Sequence, residues 1–134
     1  MIQKINPKTN VLTWFEIPVN DMQRAKTFYE TVLDIKMETL GNQQEETVFF
    51  PRLPDTIMAQ SGILSGALVK AERLKPSLHG PLIYLNAYPA IDDVIQRIKP
   101  AGGELLAEKT KIPAGFIAVF KDTEGNRLAL HAEN

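Results

Sequence analysis

VLTWFEIPVNDMQRAKTFYETVL (residues 11–33) reads as a strand followed by a helix, and PLIYLNAYPAIDDVIQRIKPAGG (residues 81–103) repeats that order. In the first stretch Leu12, Trp14, Phe15, Ile17 and Val19 make an apolar, strand-like run over residues 11–19, interrupted by Pro18 and stopped by Asn20 and Asp21. Asn20 and Gln23 have capping-box spacing. Met22, Ala25, Phe28, Val32 and Leu33 then recur in helical steps, which predicts a helix with one buried stripe that ends near Asp34. In the second stretch Leu82, Ile83, Tyr84, Leu85 and Ala87 form the strand, and Ile91, Val94, Ile95 and Ile98 form the helical stripe. Gly102 and Gly103 stop that helix, and Pro100 sits near its end, where a missing N–H is tolerated better than in the interior.

The segments around these two stretches match as well. Residues 36–40, 47–51 and 63–69 are strand-like, separated by the polar residues 41–46 and the Pro54-Asp55 turn signal. Residues 104–108, 116–120 and 127–131 are strand-like in the second half, and Asp122-Thr123-Glu124-Gly125-Asn126 reads as the hairpin between the last two. Gly125 and Asn126 are available there for positive φ. The order is β-α-β-β-β, twice. The expectation is an α+β fold of two tandem βαβββ modules, about residues 11–70 and 81–132 of a single domain spanning 1–134, joined by a basic loop over residues 70–80. Each module has a helix on one side of a curved sheet and an open side opposite, so two modules should enclose a cleft.

Composition narrows the partners. With 134 residues and 44% hydrophobic content, the chain can bury a core without covalent staples. Fifteen basic residues against 16 acidic ones, spread along the chain, leave a formal net charge of −1 and no electrostatic footprint for nucleic acid or an anionic membrane. There is no cysteine, which excludes a disulfide framework, a thiolate metal site and a cysteine nucleophile. Lys4, Asn6, Pro7, Lys8 and Asn10 stand where a signal peptide would need an apolar core, so a cytoplasmic location is expected.

Trp14-Phe15-Glu16-Ile17-Pro18-Val19-Asn20-Asp21, Arg24-Ala25, Phe28-Tyr29, Gly115-Phe116-Ile117-Ala118 and the run from Asp122 through Gly125-Asn126-Arg127-Leu128-Ala129-Leu130-His131 carry a resemblance. They resemble the paired-βαβββ vicinal oxygen chelate superfamily, which includes glyoxalase I, fosfomycin-resistance enzymes, extradiol dioxygenases, methylmalonyl-CoA epimerase and bleomycin-binding proteins. The resemblance covers nearly the whole chain and is closest to short bacterial glyoxalase-related proteins. In metal-dependent relatives, four cleft-facing strand positions supply His or Glu to a divalent ion with open positions for substrate oxygens. In this sequence the resemblance sets Trp14 at the first position, Leu82 at the third and Ala129 at the fourth, while the second falls among Ser65, Gly66, Ala67 and Leu68. A slip of one residue brings in Thr13 or Phe15, Pro81 or Ile83, and Leu128 or Leu130, none of them a ligand. No metal and no cofactor are therefore expected.

Strand alternation sets Trp14, Glu16 and Pro18 on one face, Leu82, Tyr84 and Asn86 on another, and Arg127, Ala129 and His131 on the last strand. By family register, Val119 joins them with Ile117 and Lys121. The candidate cleft is Trp14, Glu16, Leu82, Tyr84, Asn86, Val119, Ala129 and His131: mainly apolar, with few polar points. Trp14 can stack a flat ligand or fill the space of a missing ligand residue. Glu16, between Phe15 and Ile17, is the candidate general base if desolvation raises its pKa; an ion pair with a cation such as Arg127 is its structural use. Tyr84 and Asn86 can bond a carbonyl or satisfy each other, and His131 can be a ligand group or an ordinary strand-end histidine.

The leading expectation is a metal-free protein that binds a small organic molecule in an apolar cleft, as bleomycin-sequestering proteins do. One alternative is a lyase- or isomerase-type enzyme with Glu16 as base. Another is a metal-dependent glyoxalase- or dioxygenase-like enzyme with displaced ligands, and a third is an interaction module with a closed cleft. The partners expected are a small-molecule ligand and, by resemblance, a second copy in a homodimer; neither nucleic acid nor a membrane is expected.

Overall fold

A computed structural model describes residues 4–40, 46–53 and 62–134. The first half runs β1 (Phe15–Pro18), α1 (Met22–Leu33), β2 (Glu38–Leu40), β3 (Glu46–Phe49) and β4 (Gly66–Lys70). The second runs β5 (Tyr84–Asn86), α2 (Ile91–Ile98), β6 (Glu104–Ile112), β7 (Gly115–Lys121) and β8 (Arg127–Ala132). Each half makes its own four-stranded sheet, ordered β1-β4-β3-β2 and β5-β8-β7-β6. In both, the strand before the helix lies parallel to the last strand and the other pairings are antiparallel. The fold is thus α+β with two tandem βαβββ modules.

Several boundaries differ from the sequence reading for identifiable reasons. β1 begins only at Phe15 and keeps Pro18, which an edge strand can hold because no ladder N–H is needed on its free side. The cap of α1 is Asp21, not Asn20: Asp21 Oδ1 accepts the Arg24 N–H at 3.0 Å, and the Asn20 and Asp21 backbone N–H groups both go to Glu124. The helix ends where expected, at Asp34, whose φ of 55° closes it in the left-handed region. Helix α2 stops at Ile98, so Pro100 lies beyond it and removes no helical bond. Strand β6 runs on to Ile112, through two register shifts and past an alternation too irregular to read. Gly125 takes a positive φ of 96° in the β7–β8 loop, whereas Asn126 does not and has another task. The Pro54-Asp55 turn and the residues 41–45 lie outside the described residues.

The apolar stripes explain the assembly. Met22, Ala25, Phe28, Tyr29 and Val32 of α1 and Ile91, Val94 and Ile98 of α2 are buried together with Ile17, Val48 and Leu68 of the first sheet and Leu85, Leu130 and Phe120 of the second. One core therefore spans both modules. Phe28 lies 6.1 Å from the Phe120 ring, and Arg97 of α2 donates from Nε to the Val32 carbonyl of α1 at 3.0 Å. Gly103 is needed at the helix–sheet seam, since a Cβ there would press on Phe28, Ile98 and the Lys121 carbonyl.

A polar latch crosses the same seam. Tyr29 and Asp122 are buried, and the Tyr29 hydroxyl donates to Asp122 Oδ2 at 2.6 Å. Asp122 Oδ1 accepts the backbone N–H groups of Glu124 and Asn126, and Asn126 Nδ2 reaches both Asp122 Oδ2 and the Pro18 carbonyl of β1. Glu124 Oε1 takes the N–H groups of Asn20 and Asp21 at 2.8 Å each, and the Arg24 guanidinium meets both its oxygens. The run 122–126 was read as a turn alone; the structure makes it the clamp that holds the second module on the N-terminus of α1. Its buried carboxylates are tolerable only because every lone pair in reach is used.

Burial pushes the Tyr29 hydroxyl well above its ordinary range, reinforced by the Asp122 charge and hydrogen bond. For Glu124, burial raises the pKa, but hydrogen bonds from Arg24, from the Asp21 and Asn20 N–H groups and from Thr123 outweigh it and leave the carboxyl below its usual value. A depressed folded-state pKa adds stability above the unfolded value of about 4.3 that is lost as pH falls through the folded one. Urea titrations from pH 6 downward should show a loss of stability below about pH 4.5 that is shallower in Glu124→Gln. Tyr29→Phe should cost about 1.5–3 kcal/mol at neutral pH, the worth of a hydrogen bond to a charged group, with an unchanged urea m-value.

Candidate functional site

Alternation in the second sheet sends Leu85, Leu130 and Ala118 into the core and turns the intervening residues to the opposite face. That face is a small grid. Tyr84 on β5 pairs with Ala129 on β8, which pairs with Val119 on β7; one step along, Asn86 pairs with His131 and His131 with Ile117. Five of the eight residues expected in the cleft are thus brought together: Tyr84, Asn86, Val119, Ala129 and His131. A cavity of about 830 Å³ opens along this face, lined by Tyr84, Asn86, Tyr88, Ile112, Ile117 and His131 among others. A second cavity of about 810 Å³ lies toward the first module, where Leu82 and Ile83 face Leu12, Phe15 and Phe50.

The hydrogen bonds around the grid are specific. Asn86 Oδ1 accepts the Tyr88 N–H at 2.9 Å, and His131 Nε2 stands 2.8 Å from the Ala114 carbonyl in the β6–β7 turn. Gly115 makes that turn possible: its φ is 123°, and a Cβ there would run into the Ala132 carbonyl.

Trp14 and Glu16 are elsewhere. Phe15 of β1 lines the second cavity together with Tyr84 and Asn86 of β5, so the two strands border a common space although the sheets share no strand pair, but Trp14 and Glu16 line neither cavity. Trp14 precedes β1 and packs edge-on against Phe49 at 5.9 Å, while the Arg52 guanidinium sits 4.1 Å above the Phe49 ring. Ala67, register partner of both Glu16 and Phe49, is fully buried beneath this group. Glu16 is not enclosed in an apolar cavity: it keeps 34% of its side-chain exposure and meets Arg73 at 3.3 Å. Arg73, rather than Arg127, is its cation, since Arg127 Nη2 donates to the Gly80 carbonyl at 2.7 Å.

Sequence reading missed Tyr88, Ile112 and the Ala114 carbonyl. Tyr88 follows Tyr84 at a four-residue interval with an Asn between them, a faint signal; Ile112 was hidden by the length of β6. For a metal ion the register residues Trp14, Leu82 and Ala129 offer no donor, and among the described residues no three His, Asp or Glu side chains gather in a group that could hold one. No helix among the described residues is long and apolar enough to cross a membrane.

Structures that align include a hypothetical protein from S. aureus (TM-score 0.64, 21% identity, 90% of this chain and 92% of that one). A glyoxalase/bleomycin resistance protein from Albidiferax ferrireducens aligns at a TM-score of 0.63 with 17% identity over 90% of this chain and 97% of the other. A genomically encoded fosfomycin resistance protein from Listeria monocytogenes aligns at 0.63 with 18% identity over 100% and 94%. At such identities the likeness is one of fold. Among curated proteins no sequence matches. A family model does match, over residues 11–130, from before β1 into β8. The chain belongs to the glyoxalase/bleomycin resistance protein/dioxygenase superfamily.

Proposed function

We propose that the chain binds a small, largely apolar organic molecule on the open face of its second sheet and holds it without a metal ion. The observation that supports this most is the convergence of Tyr84, Asn86 and His131 with Ile112, Ile117 and Tyr88 around a cavity of about 830 Å³. That size and mixture, an apolar wall with a few placed polar groups, suits a drug-sized ligand. The names of two structural neighbours, a bleomycin resistance protein and a fosfomycin resistance protein, are consistent with sequestration of such a molecule. Catalysis with Glu16 as base gains no comparable support, because Glu16 does not line this cavity and is paired with Arg73. A cytoplasmic location and a homodimer belong to the same proposal. Val11 and Leu12, outside that cavity, are exposed apolar side chains that a second copy would cover. Light scattering at the mass of one chain would remove the dimer from the proposal.

The test is a thermal-shift screen of aromatic, carbonyl-bearing fragments on protein purified without a chelating tag, with and without EDTA. Binders should stabilise equally in both conditions, and Tyr84→Ala and Ile117→Ser should each weaken binding by about tenfold, the equivalent of 1.4 kcal/mol. Stabilisation that requires zinc, nickel or manganese, or binding untouched by both substitutions, would contradict the proposal.

A further inference from the structure

The hydrogen bonds already made on the second module determine what its open face has left to give. Asn86 Oδ1 is committed to the Tyr88 N–H, which fixes the amide and leaves the Nδ2 group as a donor. His131 Nε2 faces the Ala114 carbonyl, and a carbonyl only accepts, so Nε2 is the donor there and Nδ1 is the ring nitrogen left to accept. Asn86 and His131 are register partners on neighbouring parallel strands, and both line the cavity of about 830 Å³. A residue with a donor left and a residue with an acceptor left are therefore neighbours on one face. Ile117, the other register partner of His131, lies beside them, and Ile112 continues the apolar wall.

From this leftover pair we infer the ligand class: a neutral molecule that presents a hydrogen-bond acceptor next to a donor on a flat apolar body, as a cis-amide or lactam does. Its C=O takes Asn86 Nδ2 and its N–H gives to His131 Nδ1. A carboxylate fits poorly, because it brings acceptors alone to Nδ1, and the lining among the described residues holds Glu133 but no Lys or Arg. A ligand with one group only forgoes one of the two hydrogen bonds. The inference rests on the reading that this cavity binds small molecules, and adds which ones.

The experiment is an NMR titration of the full chain, isotope-labelled, with three probes: 2-quinolone, whose ring N–H and C=O are adjacent; 1-methyl-2-quinolone, which lacks the N–H; and quinoline, which has an acceptor only. The expected result is binding of 2-quinolone about tenfold or more tighter than of the other two, the discrimination given by one well-used hydrogen bond. The Asn86 side-chain amide and the His131 ring resonances should move. Asn86→Leu and His131→Phe should each reduce 2-quinolone to the affinity of its N-methyl analogue. Equal affinity of all three probes, with shifts at Tyr84 and Ile117, overturns the donor–acceptor pair while leaving small-molecule binding standing. Absence of binding by any probe up to its solubility limit overturns both.

Discussion

The carboxylate of Asp122 is the group on which the arrangement of this molecule depends. It is buried at the junction of the two modules, and its oxygens gather the Tyr29 hydroxyl from the first helix, the amide of Asn126 and two backbone N–H groups of its own loop. Removing a charge from water is costly, and only this complete set of donors makes the position tenable. The same set has a directional effect that apolar packing lacks. Asn126, held by Asp122, reaches the Pro18 carbonyl, and Glu124, two residues on, covers the open N–H groups at the start of α1. Phe28 and Phe120 supply apolar contact across the seam, while the loop sets the register of that contact.

Fixing the seam fixes which faces remain free. With α1 and α2 packed together and each against its own sheet, the residues between the core positions of β5, β7 and β8 turn outward, and that is where Tyr84, Asn86 and His131 meet. The first sheet has the same topology but a different surface. Trp14 packs edge-on against Phe49 and Arg52 lies over the same ring, above the buried Ala67, so bulky side chains occupy the face that the second module leaves open. Two copies of one architecture have thus diverged through a few side chains.

Much of the fold was legible because it follows from period. The helical stripes of α1 and α2 and the alternation of β7 and β8 each announce a buried face, and their repetition announces two modules. What stayed illegible depends on partners distant in sequence. Asn20 and Asp21 are equally good caps by type; the structure uses Asp21, whose Oδ1 accepts the Arg24 N–H, and Glu124, more than a hundred residues away, takes the backbone N–H groups of both. The clamp itself looked like a turn because a turn uses the same residues. In the candidate site, alternation set Tyr84 with Asn86 and Ala129 with His131, and the family resemblance supplied Val119; the β5–β8 and β7–β8 registers put all five on one face. Trp14 and Glu16 line neither cavity, because the way β1 sits against the second sheet is a matter of packing between modules that no local pattern encodes.

Calorimetric unfolding of the intact chain tests the central claim, that one polar clamp and one shared core make the two modules a single cooperative unit. The account predicts one transition whose calorimetric and van't Hoff enthalpies agree. Two resolved transitions, or a van't Hoff enthalpy well above or below the calorimetric one, would contradict it.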